Sequence, residues 1–185
     1  MVKALSDEAA WAAHAKVCGS LPGLLGSGPI VVHEPVPKLV IAEQDDSPWA
    51  SKPLNGIVRY ELTLVCPRPF KRALTPRTAI LPAGASVSLT NAGNFAAPVD
   101  VKTTGPGTVK LRQGTSGAVM RTRVSVGSGT KFDAAARTVR SAAGLDIYDV
   151  MASPSEWLSV ARESSVPVTN QGTATVELTI YDTYA

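Results

Sequence analysis

From residue 87 onward the chain repeats one pattern: a short run with an apolar residue at every second position, closed by a turn rich in glycine or asparagine. Val87 and Leu89 lead into Asn91-Ala92-Gly93-Asn94, Val99 and Val101 into Gly105-Pro106-Gly107, and Val109 and Leu111 into Gly114. Met120, Thr122, Val124 and Val126 lead into Gly127-Ser128-Gly129, and Val176, Leu178 and Ile180 form a last run. A period of two places every second side chain on one face of an extended strand. Several such strands separated by glycine turns predict an antiparallel β-sandwich or barrel. A parallel sheet would need helical segments between the runs, and the sequence offers none there. One segment reads two ways. Alanine and arginine propensity over 132–143 favours a helix, whereas the preceding glycine turn and the turn-forming Asp133 favour a hairpin leading into a strand over 137–140. The hairpin is preferred.

Upstream the pattern differs. Residues 6–18 read as a helix, with Ser6 or Asp7 as cap, Gly19 after its end, and Trp11, Ala15 and Cys18 as a narrow apolar stripe. Residues 19–29 read as an irregular connector. Short strands are expected at 30–33 and 39–42, confined to edges or ends by Pro35 and Pro37. A longer one is expected at 57–66, with Val58, Tyr60, Leu62, Leu64 and Cys66 on one face. Residues 66–76 hold three prolines and no periodicity, so the domain boundary is placed there. The expected organisation is an N-terminal helix plus β segment over residues 1–73 and a β-sandwich over 74–185.

With 185 residues, 44% apolar and 18% charged, the chain can bury a core without metal or disulfide support. A net charge of +3, spread along the chain, does not argue for nucleic-acid recognition. No stretch approaches the roughly 20 apolar residues that span a bilayer, so membrane insertion is not expected. Asp7 and Glu8 fall where a secretory signal would place its apolar core. Cys18 and Cys66 lack metal or dithiol spacing and are read as small buried hydrophobes in preference to a disulfide.

Chemistry is hard to find. His14 and His33 have no second histidine at ligand spacing, and the elbow, zinc and phosphate-loop motifs are absent from the sequence. Asp45-Asp46 sits beside Gln44, Ser47 and Pro48, which suits a solvated loop better than an acid/base pair. Neither Gly105-Pro106-Gly107 nor Gly127-Ser128-Gly129 opens a helix that would hold phosphate, so both read as hairpin turns. Trp11, Trp49 and Trp157 are dispersed, which favours packing anchors over a sugar platform. Trp157, among Leu158, Val160 and Val150, is expected to be buried. No catalytic, cofactor-binding or metal-ligating residue is assigned, no cofactor is expected, and the chain is read as a non-enzyme.

A series of features along 59–185 is more specific in order than in any single piece. Tyr60-Glu-Leu-Thr-Leu-Val-Cys-Pro-Arg-Pro-Phe is followed by Asn91-Ala-Gly-Asn-Phe-Ala-Ala-Pro-Val-Asp-Val-Lys-Thr-Thr-Gly105. Phe132-Asp133, Arg137-Thr-Val-Arg140, Trp157-Leu158 and the aromatic-ended 176–184 come next. In this order they resemble the distal tail and minor tail proteins of long-tailed bacteriophages. Two features depart from that pattern: residues 161–167 replace a proline-glycine turn, and the region before Arg59 is shorter than the family's first domain. The resemblance implies a galectin-like second domain preceded by a smaller β-rich belt segment. It also implies a hexameric ring at the tail tip, contacts with tail tube and tip proteins, and a place in the virion after synthesis in the host cytoplasm. It supports the hairpin at 132–143. A carbohydrate-binding or adhesion sandwich is the alternative function, and another tail-tube or tail-completion component is a third.

Overall fold

The computed structural model describes residues 2–3, 27–33, 35–44, 49–50, 57–58, 60–61, 64–65 and 70–185. The helix expected at 6–18 and residues 19–26 of the connector expected at 19–29 lie outside the described residues, while residues 27–29 of that connector belong to a strand. The described chain is mainly β, its sheets antiparallel, and it divides into two compact units, Met1–Lys71 and Arg72–Ala185.

The first unit contains β1 (Val2–Lys3), β2 (Ser27–Val32), β3 (Lys38–Gln44), β4 (Trp49–Ala50), β5 (Ile57–Val58), β6 (Tyr60–Glu61) and β7 (Leu64–Val65). Strands β2 and β3 form a hairpin in the register Ile30↔Val40, with Pro35 and Pro37 in its loop, where a missing N–H breaks no ladder. Val40 is buried, and Val36 at the loop is 67% exposed. The single strand expected over 57–66 is described as three pieces with three partners: β5 on β1, β6 on β4 and β7 on the end of β3.

The second unit takes in all but the first residue of β8 (Lys71–Ala73), then β9 (Arg77–Leu81), β10 (Ser86–Asn91), β11 (Ala97–Thr103), β12 (Lys110–Gln113), β13 (Val119–Arg121), β14 (Lys131–Asp133) and β15 (Thr138–Arg140). A 3-10 turn at Tyr148–Val150 precedes β16 (Ser159–Val160), β17 (Ser164–Asn170), β18 (Val176–Ile180) and β19 (Thr183–Tyr184). The 71–73 strand lies within the stretch expected to be irregular, and its Ala73 N–H donates to the Asp182 carbonyl at 2.9 Å. One sheet has the order β10-β17-β12-β13. The other runs β15-β14-β11-β18-β9, with β16 also on β11.

The period-two pattern translates directly into a core. Strand β18 alternates buried and half-buried residues along its whole length, and β11 buries Ala97, Val99, Val101 and Thr103. Cross-strand register then lines up Leu178, Val101, Phe132 and Val139 in one row across the larger sheet. Each such fully buried side chain contributes about 1.5–3 kcal/mol. The 132–143 segment is a hairpin, β14 with β15: Phe132 and Val139 pair on the inner face, and Asp133 closes the turn between them by accepting the Ala136 N–H at 2.6 Å.

Three details depart from the expected strands. The run Met120 to Val126 is a strand only as far as Arg121; Thr122 bridges Met151, Val126 bridges Gly107, and Val124 between them is exposed. Strands β9 and β17 were not foreseen. In β17 the obstacle to reading is Pro167, which sits in a central strand. Its carbonyl accepts from the Gly114 N–H at 2.8 Å, so its nitrogen points to that same side, beyond the last β12 residue in register. The ladder to β10 therefore loses no bond.

Polar pins close the two ends of the β10–β17 pair. Asn170 is fully buried; its amide nitrogen donates to the carbonyls of Leu81 (3.0 Å) and Ala174 (2.8 Å), while its oxygen accepts the Gly172 N–H at 3.0 Å. Asn91, also fully buried, donates to the carbonyls of Phe95, Val160 and Ala161 and accepts from the N–H groups of Gly93 and Thr183. Each is an Asn-x-Gly turn, and in each a Cβ on the glycine would collide with backbone, of Thr183 at Gly93 and of Thr108 at Gly172. Asn170→Ala should lower stability by about 3 kcal/mol, because two buried carbonyls and one N–H lose their partner. Urea denaturation of the full chain measures this, with the exposed neighbour replaced in Gln171→Ala expected to change stability by less than about 0.5 kcal/mol.

Candidate functional site

Of the residues weighed for chemistry in the sequence, Trp11, His14, Cys18, Asp45, Asp46 and Cys66 lie outside the described residues. His33 is exposed, and Trp49 lies in β4. Among the described residues no three His, Cys, Asp or Glu side chains gather at metal-binding distance, and no helix is long and apolar enough to cross a membrane. The glycine turns are structural. Buried Thr103 donates its hydroxyl to the Gly127 carbonyl (2.7 Å) and accepts the Thr130 N–H (2.9 Å), which folds the 127–130 turn back onto β11.

Trp157 is half-buried rather than buried. Leu158, next to it, fills the core, and Trp157 packs on the cluster's rim with its ring 6.4 Å from that of Tyr148, tilted by 32°. Strand alternation explains the swap: adjacent residues face opposite ways, so only one of the two can point inward.

The outer faces of the two sheets differ in chemistry. Strands β10, β17, β12 and β13 contain no aspartate or glutamate. Their outward residues begin with a hydroxyl ladder, in which Ser86 meets Thr169 at 2.7 Å and Ser165 meets Ser88 at 2.8 Å and Thr90 at 3.0 Å. Beyond the ladder lie Lys110, Arg112 and Arg121. On the larger sheet the charges alternate, with Lys102 opposite Glu177 and with Asp100, Lys131 and Asp133 nearby. Three of the basic residues that looked scattered in the sequence are thus brought together on one sheet, because the β12–β13 register sets Lys110 directly across from Arg121 and Arg112 across from Val119. The outward parity of 110 and 112 was readable; the pairing with 121 was not.

Open recesses mark the surface of the described residues. The first, of about 650 Å³, is lined by those three cations, the 116–118 loop, Pro154 and Glu156. A second, of about 420 Å³, lies between edge strands β9 and β10 and is crossed by Arg77, which donates to the Thr90 carbonyl and pairs with Asp182, both at 2.7 Å. Ile80, on the same edge strand, is 69% exposed. The third, of about 260 Å³, lies over Asp100, Lys131 and Tyr181.

No protein-family model matches the sequence, and no curated protein matches it. A solved structure does: the Dit protein of phage SPP1, described as a paradigm of the hub adsorption apparatus in phages infecting Gram-positive bacteria. It superposes with a TM-score of 0.60 over 92% of this chain and 72% of its own, at 14% sequence identity. That likeness establishes a shared fold.

Trp157→Ala should cost about 2 kcal/mol, below the usual range for a fully buried tryptophan because the ring is only partly buried, at the rim of the core. Chemical denaturation checks the value, and an unchanged midpoint would assign the ring to a surface role.

Proposed function

We propose that the chain is a structural protein of a long-tailed bacteriophage virion, placed at the distal end of the tail, where it forms a ring linking the tail tube to the tail tip. The observation that carries this reading is a convergence. The ordered features of 59–185 resemble distal tail proteins, and the fold over 92% of the chain is similar to that of a phage hub protein. The two likenesses draw on different information, one on residue order and the other on backbone geometry.

A ring component needs a stiff body and a surface that repeats around an axis; heterologous contacts that close on themselves require no reacting group. The sandwich of residues 74–185, galectin-like in this reading, supplies the stiff body. The first unit, as the belt, supplies the contacts. Its β2–β3 hairpin exposes Val31 and Val36, an apolar tip that a neighbouring copy would cover. Six copies, with tail tube and tip proteins as neighbours, complete the arrangement, and the chain reaches the virion after synthesis in the host cytoplasm. A carbohydrate-binding module is the second reading; the exposed Tyr148 beside half-buried Trp157 favours it.

Light-scattering mass measurement should give an oligomer for the full chain and a monomer for a version starting at Leu74. A hexamer from the shortened form would place the ring contacts in the sandwich instead. Immunogold labelling of virions should put the protein at the distal end of the tail, and labelling of the capsid or of the whole tube length would remove the tail-tip assignment.

A further inference from the structure

We propose that the recess on the β12–β13 hairpin binds a multivalent oxyanion, a ligand bearing phosphate or several carboxylates. Its volume of about 650 Å³ suits a small molecule or the terminal groups of a glycan. Lys110, Arg112 and Arg121 all line it, and none of the three forms an ion pair with a described residue. Glu156 is the one carboxylate in the lining, exposed and not bridged to any of the three, so the recess keeps an excess of positive charge.

Two of the cations are already held in place. Arg121 donates through Nε to the Pro154 carbonyl at 3.0 Å and through Nη2 to that of Ser153 at 3.3 Å. Arg112 donates through Nη1 to the Thr115 carbonyl. Carbonyl partners orient a guanidinium without neutralising it, so the field of both charges remains available and little side-chain freedom is left to lose on binding. The segment that holds Arg121 is itself anchored on β13: Glu156 N–H donates to the Val119 carbonyl and Ala152 N–H to that of Arg121, at 2.9 and 3.0 Å.

Arg112 Nε adds the independent sign. It is shut off from solvent and is the only buried side-chain nitrogen or oxygen among the described residues without a hydrogen-bond partner. A desolvated donor on a charged group is costly, and an oxyanion that draws the guanidinium further into the adjoining recess would give it an acceptor. Gly117 forms part of the wall; a Cβ there would run into the Gln113 carbonyl, so the loop keeps this close approach only with glycine. Lys110 completes the set as an exposed point charge opposite Arg121. The proposal concerns the second unit alone and is independent of where the protein sits in a virion.

Isothermal titration of the full chain with sodium pyrophosphate, and separately with trigalacturonate, tests it. Saturable one-site binding of at least one probe is expected, and the preferred probe tells phosphate from carboxylate recognition. Arg112→Gln and Lys110→Gln should each weaken that binding roughly tenfold, the effect of losing one charge-assisted contact. Lys110 is exposed, so Lys110→Gln keeps the test valid even if Arg112→Gln disturbs folding. Lys131→Gln, which removes a cation from the other sheet, should leave binding unchanged. Absence of saturable binding to either probe overturns the proposal, as does equal weakening by Lys131→Gln, which would reduce the effect to diffuse charge.

Discussion

The carboxamides of Asn91 and Asn170 are the interactions on which the second unit's shape depends. They sit at opposite ends of the antiparallel β10–β17 pair, since Asn91 is in register with Ser164 and Ser86 with Thr169. From those ends they reach backbone groups of the other sheet and its neighbours: Leu81 in β9 from one, Val160 in β16 from the other. Hydrophobic burial brings two sheets face to face but does not fix their relative translation. A buried amide that must satisfy a donor and an acceptor in fixed directions does. The cost of missing those partners makes the alternative placements expensive.

That constraint shapes the surface as well. With the sheets pinned, the inner residues of every strand are committed, and the outer residues follow by alternation. The outer face of the four-stranded sheet therefore becomes a continuous surface of hydroxyls and cations, while the other sheet carries balanced charge. Strands β9 and β10, joined by a short turn, lie at the edges of different sheets, and Arg77 spans from one to the other. A free sheet edge invites pairing with another chain.

Much of the sandwich was legible because burial on one face imposes a period of two. Val99, Val101, Leu111, Val176, Leu178 and Ile180 were read as inward residues, and all are buried. Failures came where another rule overrode periodicity. Val124 keeps the alternation of its run, yet the chain has left the sheet by then and the residue is exposed. Pro167 hid β17, because a proline argues against a central strand unless its nitrogen faces the end of a neighbour's ladder. Trp157 was assigned the inward position that Leu158 holds. Of the recess, the outward parity of Lys110 and Arg112 was visible in the sequence, but its convergence with Arg121 was not.

The sequence by itself determined the class of structure: an antiparallel, mainly β body with turns at the asparagines and glycines, because local alternation and turn chemistry act over a few residues and need no knowledge of the rest. Strand partners, the identity of the pinning amides' acceptors and the gathering of dispersed cations were decided only in the tertiary structure. Those features join residues such as Asn170 and Leu81, 89 positions apart, or Arg121 and Ser153, 32 apart. Such pairings are selected by the whole core closing at once, and no short window of sequence contains the competing alternatives against which they win.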